Sequence, residues 1–543
     1  MTESVPPSSA VRAQDPSDVP AGGDAAAPAP RRRRALPVAV RLAAAAASGV
    51  VLFLSFAPRP LWWLAPLAFA GLGLTVRGRR TWGSAGYGFV FGLTFNLLHL
   101  LWIEDFLGVD FGPWPWLALS GVLALYVALA CALLPWVSRL PVAPVWMALV
   151  FLLQEFARSR WPANGFPWGR IGFSQPEGAF TPLASLGGAP LVGLAVVTCG
   201  FGMAGLITCL RLRPALPAVL RASAVALVPL LLGLVLRPTV GTEAENGTRS
   251  VAIVQGNAPN VGIQLLGQRE TLRANTLSES ARLAQRIDDG EVPRPDLVVW
   301  PETAVDITGG HDPEVDRAVA DLGVPTLVGS LYRGANGKTD NAVVTWRPGE
   351  GPGDRYAKQE LVPFAEYVPM RPIASWFSPF VGNTRDMRWG TEAGVTDVAG
   401  TRVGLAICYE AAYDYPSRDA VDAGAQLIVL PTNNAWFGDG EMTYQQLAMA
   451  RVRAVEHGRA VVVAATSGVS AVVQPDGTVT RHTDMYEATS LVADVPLRTT
   501  TTLADRLGAW TEYVLVGAGV AAAITGIVLG RRRGAAGGAD RTR

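Results

Sequence analysis

Charge is scarce in this chain. Only 17% of its 543 residues are Asp, Glu, Lys or Arg, while 50% are apolar, and soluble domains usually carry about a quarter charged residues. The two signs nearly cancel, at a formal +1, and no basic stripe interleaves with aromatics, so a nucleic-acid partner is not expected. Cysteine is equally thin, with four in all. Cys131, Cys199 and Cys209 lie inside long apolar runs, where a thiol acts as a small hydrophobe. Only Cys408 lies in a polar, globular stretch. That spread argues against a disulfide framework and leaves Cys408 either a buried inert thiol or a nucleophile. The four histidines, His99, His311, His457 and His482, are scattered. His457, beside Arg451, Arg453, Glu456 and Arg459, reads as part of a solvated or salt-bridged helix face rather than as a base. No Walker loop, no G-x-G-x-x-G after a strand, no H-E-x-x-H and no C-x-x-C occurs, so phosphate-cradling and zinc chemistry lack support. No cofactor is called for.

What is present is apolar length. A spanning helix needs about 20 mostly apolar residues. Candidates are Val38–Phe56, Leu61–Val76, Trp82–Ile103, Trp114–Val137, Ala143–Phe156, Leu191–Leu210, Leu216–Leu236 and Tyr513–Leu529, about eight spans, of which the second and fifth are short. Arginines collect at alternate ends: Arg31–Arg34, then Arg77, Arg79 and Arg80, then Arg139, Arg211 and Arg213, and finally Arg531–Arg533. By the positive-inside rule these ends are cytoplasmic. The intervening third loop is acidic, with Glu104, Asp105 and Asp110. The loop bearing Arg158, Arg160 and Arg170 breaks the pattern and is long enough to have its own structure. Both termini are then expected in the cytoplasm, with Thr239 to Asp505 outside. The expected organisation is a disordered tail over 1–35, a transmembrane domain over 36–237, a globular domain over 250–497, a final span over 511–530 and a basic tail over 531–543.

Within the globular stretch short β-rich runs alternate with helix-like segments. Val251–Gln255, Leu297–Trp300, Thr326–Ser330, Ala342–Trp346, Val403–Ile407, Leu427–Leu430, Val461–Ala465 and Ser470–Gln474 read as strands. Met442–His457 carries apolar residues at helical spacing. The pattern predicts an α/β domain.

Three polar positions stand where a plain β-core would not want them. Glu302 directly follows the apolar run Val298-Val299-Trp300-Pro301. Lys358 opens the stretch Lys358-Gln359-Glu360-Leu361-Val362-Pro363-Phe364-Ala365-Glu366. Cys408 ends Gly404-Leu405-Ala406-Ile407. Singly, each has a plain explanation, as a helix cap, a surface charge and a core thiol. Together they supply a base, a cation and a nucleophile. A thiol is mostly protonated at neutral pH and needs a proton acceptor to attack a carbonyl. Glu302 is the candidate acceptor. Lys358 and the backbone N–H of Tyr409 are candidates to stabilise the oxyanion that develops.

At this point the residues resemble a family. Glu302, Lys358 and Cys408, in this order, are similar to the Glu-Lys-Cys triad of the nitrilase superfamily, whose fold is an α-β-β-α sandwich. More narrowly, the chain resembles the apolipoprotein N-acyltransferases over roughly Leu36 to Gly530. The motifs are Val254-Gln255-Gly256-Asn257, Trp300-Pro301-Glu302-Thr303, Leu361-Val362-Pro363-Phe364 leading to Glu366, Cys408-Tyr409-Glu410 and Asn434-Ala435-Trp436-Phe437-Gly438. Phe56-Ala57-Pro58 with Leu61-Trp62-Trp63, and Phe166-Pro167-Trp168 running to Gly172-Phe173-Ser174-Gln175, extend the match into the apolar part.

The resemblance implies a polytopic helical membrane domain joined to a nitrilase-like domain on the extracytoplasmic face of a bacterial cytoplasmic membrane. It implies Glu302 as proton acceptor, Lys358 as oxyanion stabiliser and Cys408 as nucleophile, with Glu366, Tyr409 and Glu410 needed for activity. Glu366 either pairs with Lys358 or holds the surroundings of Cys408; its plain alternative is a solvent-facing loop acid. A membrane phospholipid is the implied acyl donor and the α-amino group of a lipoprotein's diacylglyceryl-cysteine the acceptor. Trp62, Trp63, Trp168, Phe377, Phe380 and Trp436 are either guides for acyl chains or interfacial anchors. The family usually carries a tryptophan shortly after its Gln-Gly-Asn motif, and Val261-Gly262-Ile263-Gln264-Leu265-Leu266 has none, so lipid handling there is expected to differ. A membrane-anchored nitrilase-type amidohydrolase is the alternative, since water also resolves thioesters. A transporter or scaffold is the rival from another class, disfavoured by the scarcity of polar residues within the spans.

Overall fold

The computed structural model describes residues 37–212, 215–258, 268–334, 337–375 and 386–539. The tail over 1–35, the loop Val261–Leu266, and Phe377 and Phe380 lie outside the described residues. The described residues begin with eight α-helices: α1 (Val38–Leu54), α2 (Leu64–Val76), α3 (Thr81–His99), α4 (Leu101–Phe111), α5 (Trp114–Val137), α6 (Ala143–Arg158), α7 (Ala184–Leu210) and α8 (Leu216–Leu236). Among the described residues four helices are long and apolar enough to cross a membrane, or five if α3 and the start of α4, bent by 49°, count as one. The expectation of about eight is therefore not met on length. At about 1.5 Å per residue, α1 and α2, with 17 and 13 residues, fall short of a core about 30 Å thick. The acidic stretch Glu104, Asp105 and Asp110, expected as a loop, lies in helix α4.

The globular part follows as β1 (Thr248–Gln255), α9 (Arg269–Asp288), β2 (Leu297–Val299), β3 (Val305–Thr308), α10 (Pro313–Leu322), β4 (Thr326–Arg333), β5 (Thr339–Arg347) and β6 (Gly351–Ala357). It continues with α11 (Arg371–Ala374), β7 (Val395–Val398), β8 (Thr401–Leu405), α12 (Tyr415–Asp422), β9 (Leu427–Thr432) and α13 (Met442–His457). The last elements are β10 (Val461–Ala465), β11 (Ala471–Val473), β12 (Val479–His482), β13 (Thr489–Pro496), α14 (Leu503–Leu507) and α15 (Trp510–Ala539). The basic tail expected from 531 is helical through Ala539, as the end of α15.

Two sheets result. One runs β13-β1-β2-β4-β5-β6, with β3 also beside β4; the other runs β12-β11-β10-β9-β8-β7. The neighbours β1, β2 and β4 are parallel, as are β8, β9 and β10. Their residues are apolar on both faces because both faces are covered. Val251, Ile253, Leu297 and Val299 meet Val403, Leu405, Leu427 and Val429 between the sheets. Ala252, Val254, Val298 and Trp300 face outward onto Leu283 and Ile287 of α9 and Val315, Val319 and Leu322 of α10.

On the far side, Ile428, Leu430, Val461 and Val463 pack against Met449, Val452 and Val455 of α13. That cluster is continuous with the apolar helices through residues such as Phe173, Phe180 and Val196. One hydrophobic core thus runs from the helical half into the outer face of the second sheet. Polar bolts cross the same boundary. Trp168 Nε1 donates to Gln445 Oε1 at 2.7 Å, Gln445 Nε2 donates to the His99 carbonyl at 3.1 Å, and Arg451 pairs with Glu177 at 2.8 Å. α7 is broken at Gly187 and Gly188, the latter at φ +68°, where a Cβ would meet a carboxylate oxygen of Glu456 at 2.6 Å.

Candidate active site

Open α/β sheets gather reactive groups beyond the carboxyl ends of parallel strands, and here three such ends converge with the end of a fourth, antiparallel strand. Glu302 follows β2, Cys408 follows β8 and Asn433 follows β9, while Lys358 follows the antiparallel β6. Glu302, Lys358, Glu366 and Cys408 are all buried. Lys358 Nζ lies 2.8 Å from Glu302 Oε1 and 3.2 Å from Glu366. Of the two readings of Glu366, the pairing with Lys358 is the one observed, and Glu366 Oε2 also accepts from the Val362 N–H at 2.7 Å. Burial alone would lower the proton affinity of Lys358, but Glu302 and Glu366 overcome it and hold the ammonium well above its ordinary range.

Cys408 sits at φ +51° at the start of a single 3-10 turn, Cys408–Ala412. A non-glycine residue in that region is held there by its surroundings, and such outliers cluster at functional sites. Thr303 at φ +53° and Phe364 at φ +67° share the property in the two neighbouring motifs. Burial, and then the charge of Glu302, push the Cys408 thiol up to about 12, against the pull of Lys358 and of hydrogen bonds with Thr432 and Gln446.

Glu410 is a strut. Its Oε2 accepts from the Ile407 N–H at 2.6 Å, and its Oε1 accepts from the N–H groups of Gln359 at 2.6 Å and Glu360 at 3.1 Å. Tyr356 Oη donates to both oxygens at 3.0 Å. One carboxylate thereby ties the residue before Cys408 to the two residues after Lys358. Burial pushes the Glu410 carboxyl up to about 7, with the Ile407 N–H and Lys358 opposing.

The Tyr409 side chain points away from this cluster. Its ring stacks on Trp168 at 6.4 Å and its hydroxyl donates to the Gly165 carbonyl at 3.4 Å. Trp168, expected to guide acyl chains or anchor at an interface, is instead buried in the seam between the two halves. Trp436 reaches toward Phe106 of α4 with ring centres 6.4 Å apart. Trp62 packs edge-on against Phe180, and Trp63 is half exposed. His457 is buried rather than solvated, with Nδ1 2.6 Å from Asp505, well outside the cluster.

Four polar partners were not legible in the sequence. Asn341 Nδ2 donates to Glu302 Oε1 at 2.6 Å and also to Glu366. The Asn433 N–H donates to Glu302 Oε2 at 2.9 Å, and Thr432 and Gln446 flank the thiol. The one available signal was an Asp-Asn pair opening an otherwise apolar strand at Asp340–Asn341. The Gln-Gly-Asn motif has a bracing part: Gln255 accepts from Ser470 at 2.6 Å and Thr483 at 2.8 Å. Among the described residues no group of three or more His, Cys, Asp or Glu side chains could hold a metal ion.

A thiol, a buried carboxylate and a buried ammonium at the ends of a two-sheet sandwich define a carbon–nitrogen hydrolase domain, and here it is joined to apolar helices. The sequence matches the carbon-nitrogen hydrolase family over residues 250–505 and the apolipoprotein N-acyltransferase N-terminal domain over residues 48–202. An apolipoprotein N-acyltransferase from Mycolicibacterium smegmatis is 36% identical over 512 residues, covering 90% of this chain and 85% of the relative. One from Azotobacter vinelandii is 33% identical over 513 residues, covering 90% and 95%. Among solved structures, a member of branch 10 of the nitrilase superfamily from Saccharomyces cerevisiae is 16% identical, with 46% of this chain and 90% of that one covered at a TM-score of 0.34. The chain belongs to the apolipoprotein N-acyltransferase family.

Proposed function

We propose that the chain moves a fatty acyl group from a membrane phospholipid, through a thioester on Cys408, to the α-amino group of a lipoprotein's N-terminal diacylglyceryl-cysteine. The reading is carried by one observation: a buried Glu302–Lys358–Glu366 cluster beside a strained, buried cysteine, in a domain whose core is continuous with apolar helices. In the first half-reaction Glu302 accepts the Cys408 proton as sulfur attacks the ester carbonyl. Moving a proton from Cys408 to Glu302 leaves the summed charge of the cluster unchanged, which suits a buried site. Lys358 and the Tyr409 N–H stabilise the oxyanion. The carbon–oxygen bond to glycerol then breaks, and the proton on Glu302 passes to the departing alkoxide. In the second half-reaction the neutral amine attacks the thioester and loses a proton to Glu302. The carbon–sulfur bond breaks and Cys408 regains its proton. Oxidation states do not change.

In this reading the helical half crosses a bacterial cytoplasmic membrane several times, the sandwich lies on the extracytoplasmic face and both termini are cytoplasmic. The arginine pattern of the loops supports that orientation. Both lipid-anchored substrates then reach the sandwich from the membrane surface. Mass spectrometry of the full chain incubated with phospholipid tests the proposal. A hydroxylamine-sensitive acyl adduct on Cys408, absent in Cys408→Ser and discharged onto a diacylglyceryl-cysteinyl peptide as an amide, is the expected result. Discharge to water but not to the peptide would make the protein a hydrolase and not a transferase.

A further inference from the structure

A turn of five residues with its first at positive φ does not hold itself in place, and the turn that follows Cys408 is fastened from outside along its length. Arg453, on α13, donates from Nε to the Ala411 carbonyl at 3.0 Å and from Nη2 to the Ala412 carbonyl at 3.1 Å. Its remaining nitrogen pairs with Asp414 at 2.8 Å and with Glu456. Asp414 is in turn held by Arg170 of the helical half, whose Nη1 donates to Oδ2 at 2.7 Å. Arg170 Nη2 donates to Glu512 near the start of α15 at 3.1 Å. The guanidinium thus bridges the nucleophile's strand-end segment and the last long helix while its side chain stays 2% exposed. The loop leading to Arg170 holds the same turn a second way, since Tyr413 Oη donates to the Asn164 carbonyl at 3.2 Å. The next residue is secured too, with the Ile171 N–H donating to Glu155 at 2.8 Å.

We infer that Arg170 is a positioning residue for Cys408: through Asp414 it orients Arg453, and Arg453 holds the carbonyls that fix the turn carrying the thiol. The inference rests on the acyl-transfer reading of Cys408. Lysine cannot replace this function, because one ammonium lacks the planar fork that spans two carboxylates. Loss of Arg170 leaves Asp414 and Glu512 each short of a buried partner, so that Asp414 no longer holds Arg453 in place against the pull of Glu456. The thiol then drifts from the attack geometry, where a displacement of about 1 Å costs on the order of a hundredfold in rate.

The experiment uses the full chain in lipid nanodiscs and measures the single-turnover rate constant for Cys408 acylation and the apparent KM for phospholipid. Arg170→Lys and Asp414→Asn are each expected to lower the rate constant on the order of a hundredfold with KM changed less than about twofold, the double variant being no slower than either single. Arg451→Gln, which cuts the Arg451–Glu177 pair elsewhere on the same boundary, should retain the wild-type rate constant. Rate constants equal to wild type in the folded fraction of the Arg170 variant, with only yield or melting temperature reduced, would make Arg170 a structural brace and overturn the inference. Failure of the wild type itself to form a thioester would instead sink the acyl-transfer reading. The inference is then judged on Cys408 alkylation by iodoacetamide, where an Arg170→Lys rate equal to wild type rejects it.

Discussion

One nitrogen, Asn341 Nδ2, donates to both Glu302 and Glu366, so the two carboxylates that flank Lys358 also share a neutral donor. Without it the two oxygens facing each other across Lys358 would be bridged by the ammonium alone. Asn341→Ala should therefore let Glu302 swing and lower the single-turnover acylation rate on the order of a hundredfold, while phospholipid affinity holds. Asn341→Asp puts a third carboxylate at hydrogen-bond distance from the other two and should abolish the thioester. An Asn341→Ala enzyme as fast as wild type would show that Lys358 positions Glu302 unaided.

The apolar logic of the fold could be read from the sequence; the polar logic could not. The spacing of Met442–His457 predicts a helix, and α13 has those bounds. Strands such as Leu427–Leu430 were legible because both faces are apolar. β6, Gly351–Ala357, was hidden by two glycines and a proline, and its place at the sheet edge comes from antiparallel pairing with β5. β13 carries no local signature because its reason to exist is distant: it pairs along its whole length with β1, about 240 residues earlier. At the site, Glu302 and Cys408 announced themselves as polar residues at apolar strand ends, and Lys358 through the stretch it opens toward Glu366. Asn341, Thr432, Asn433 and Gln446 matter only through tertiary neighbours. Trp168 misled for the converse reason, since a tryptophan near a span suggests a lipid contact until its indole N–H is seen donating to Gln445.

Gly329 sets how closely β4 passes under Glu302. A Cβ there would meet the Pro301 carbonyl oxygen at 1.9 Å and the Glu302 Cα at 2.9 Å, both backbone atoms that cannot rotate away. Gly329→Ala should cost about 1–3 kcal/mol of stability by overpacking and should slow acylation in the protein that does fold. A thermal shift alone, with an unchanged rate constant, would mean the strain is relieved in β4 and not at Glu302.

Glu410 predicts an acid limb. Its carboxyl is raised by burial to about 7, above the ordinary glutamate value of about 4.3. The folded protein therefore keeps a proton that the unfolded chain releases across that window, and stability falls as pH rises through it before levelling off above about 7. Activity runs the other way, because the groups around both oxygens are donors and only the carboxylate accepts from all of them. Acylation should rise with pH through about 7 and then plateau. Glu410→Gln, whose amide nitrogen would face donors, should lower the plateau and erase that limb. Persistence of the same limb in the variant would assign it to another group.

Glu302 has opposite effects on the reactivity of Cys408 and on its turnover, and one substitution separates them. The thiol sits at about 12 partly because Glu302 is beside it, with Lys358 pulling down. Alkylation of Cys408 by a small reagent should therefore climb about tenfold per pH unit from neutrality upward, with no plateau, as for a thiol almost wholly protonated. Glu302→Gln removes the neighbouring negative charge, lowers the thiol's proton affinity and should speed alkylation at neutral pH. The same variant has no base to receive the proton or return it to the leaving group, and general acid–base assistance contributes typically about a hundred- to ten-thousandfold. Thioester formation from phospholipid should fall by that order even as alkylation quickens. Lys358→Met should slow both, because it removes a cation that stabilises thiolate and oxyanion alike. If Glu302→Gln slows alkylation and acylation together, Glu302 acts by holding Lys358 in place and the proton leaves Cys408 by another route.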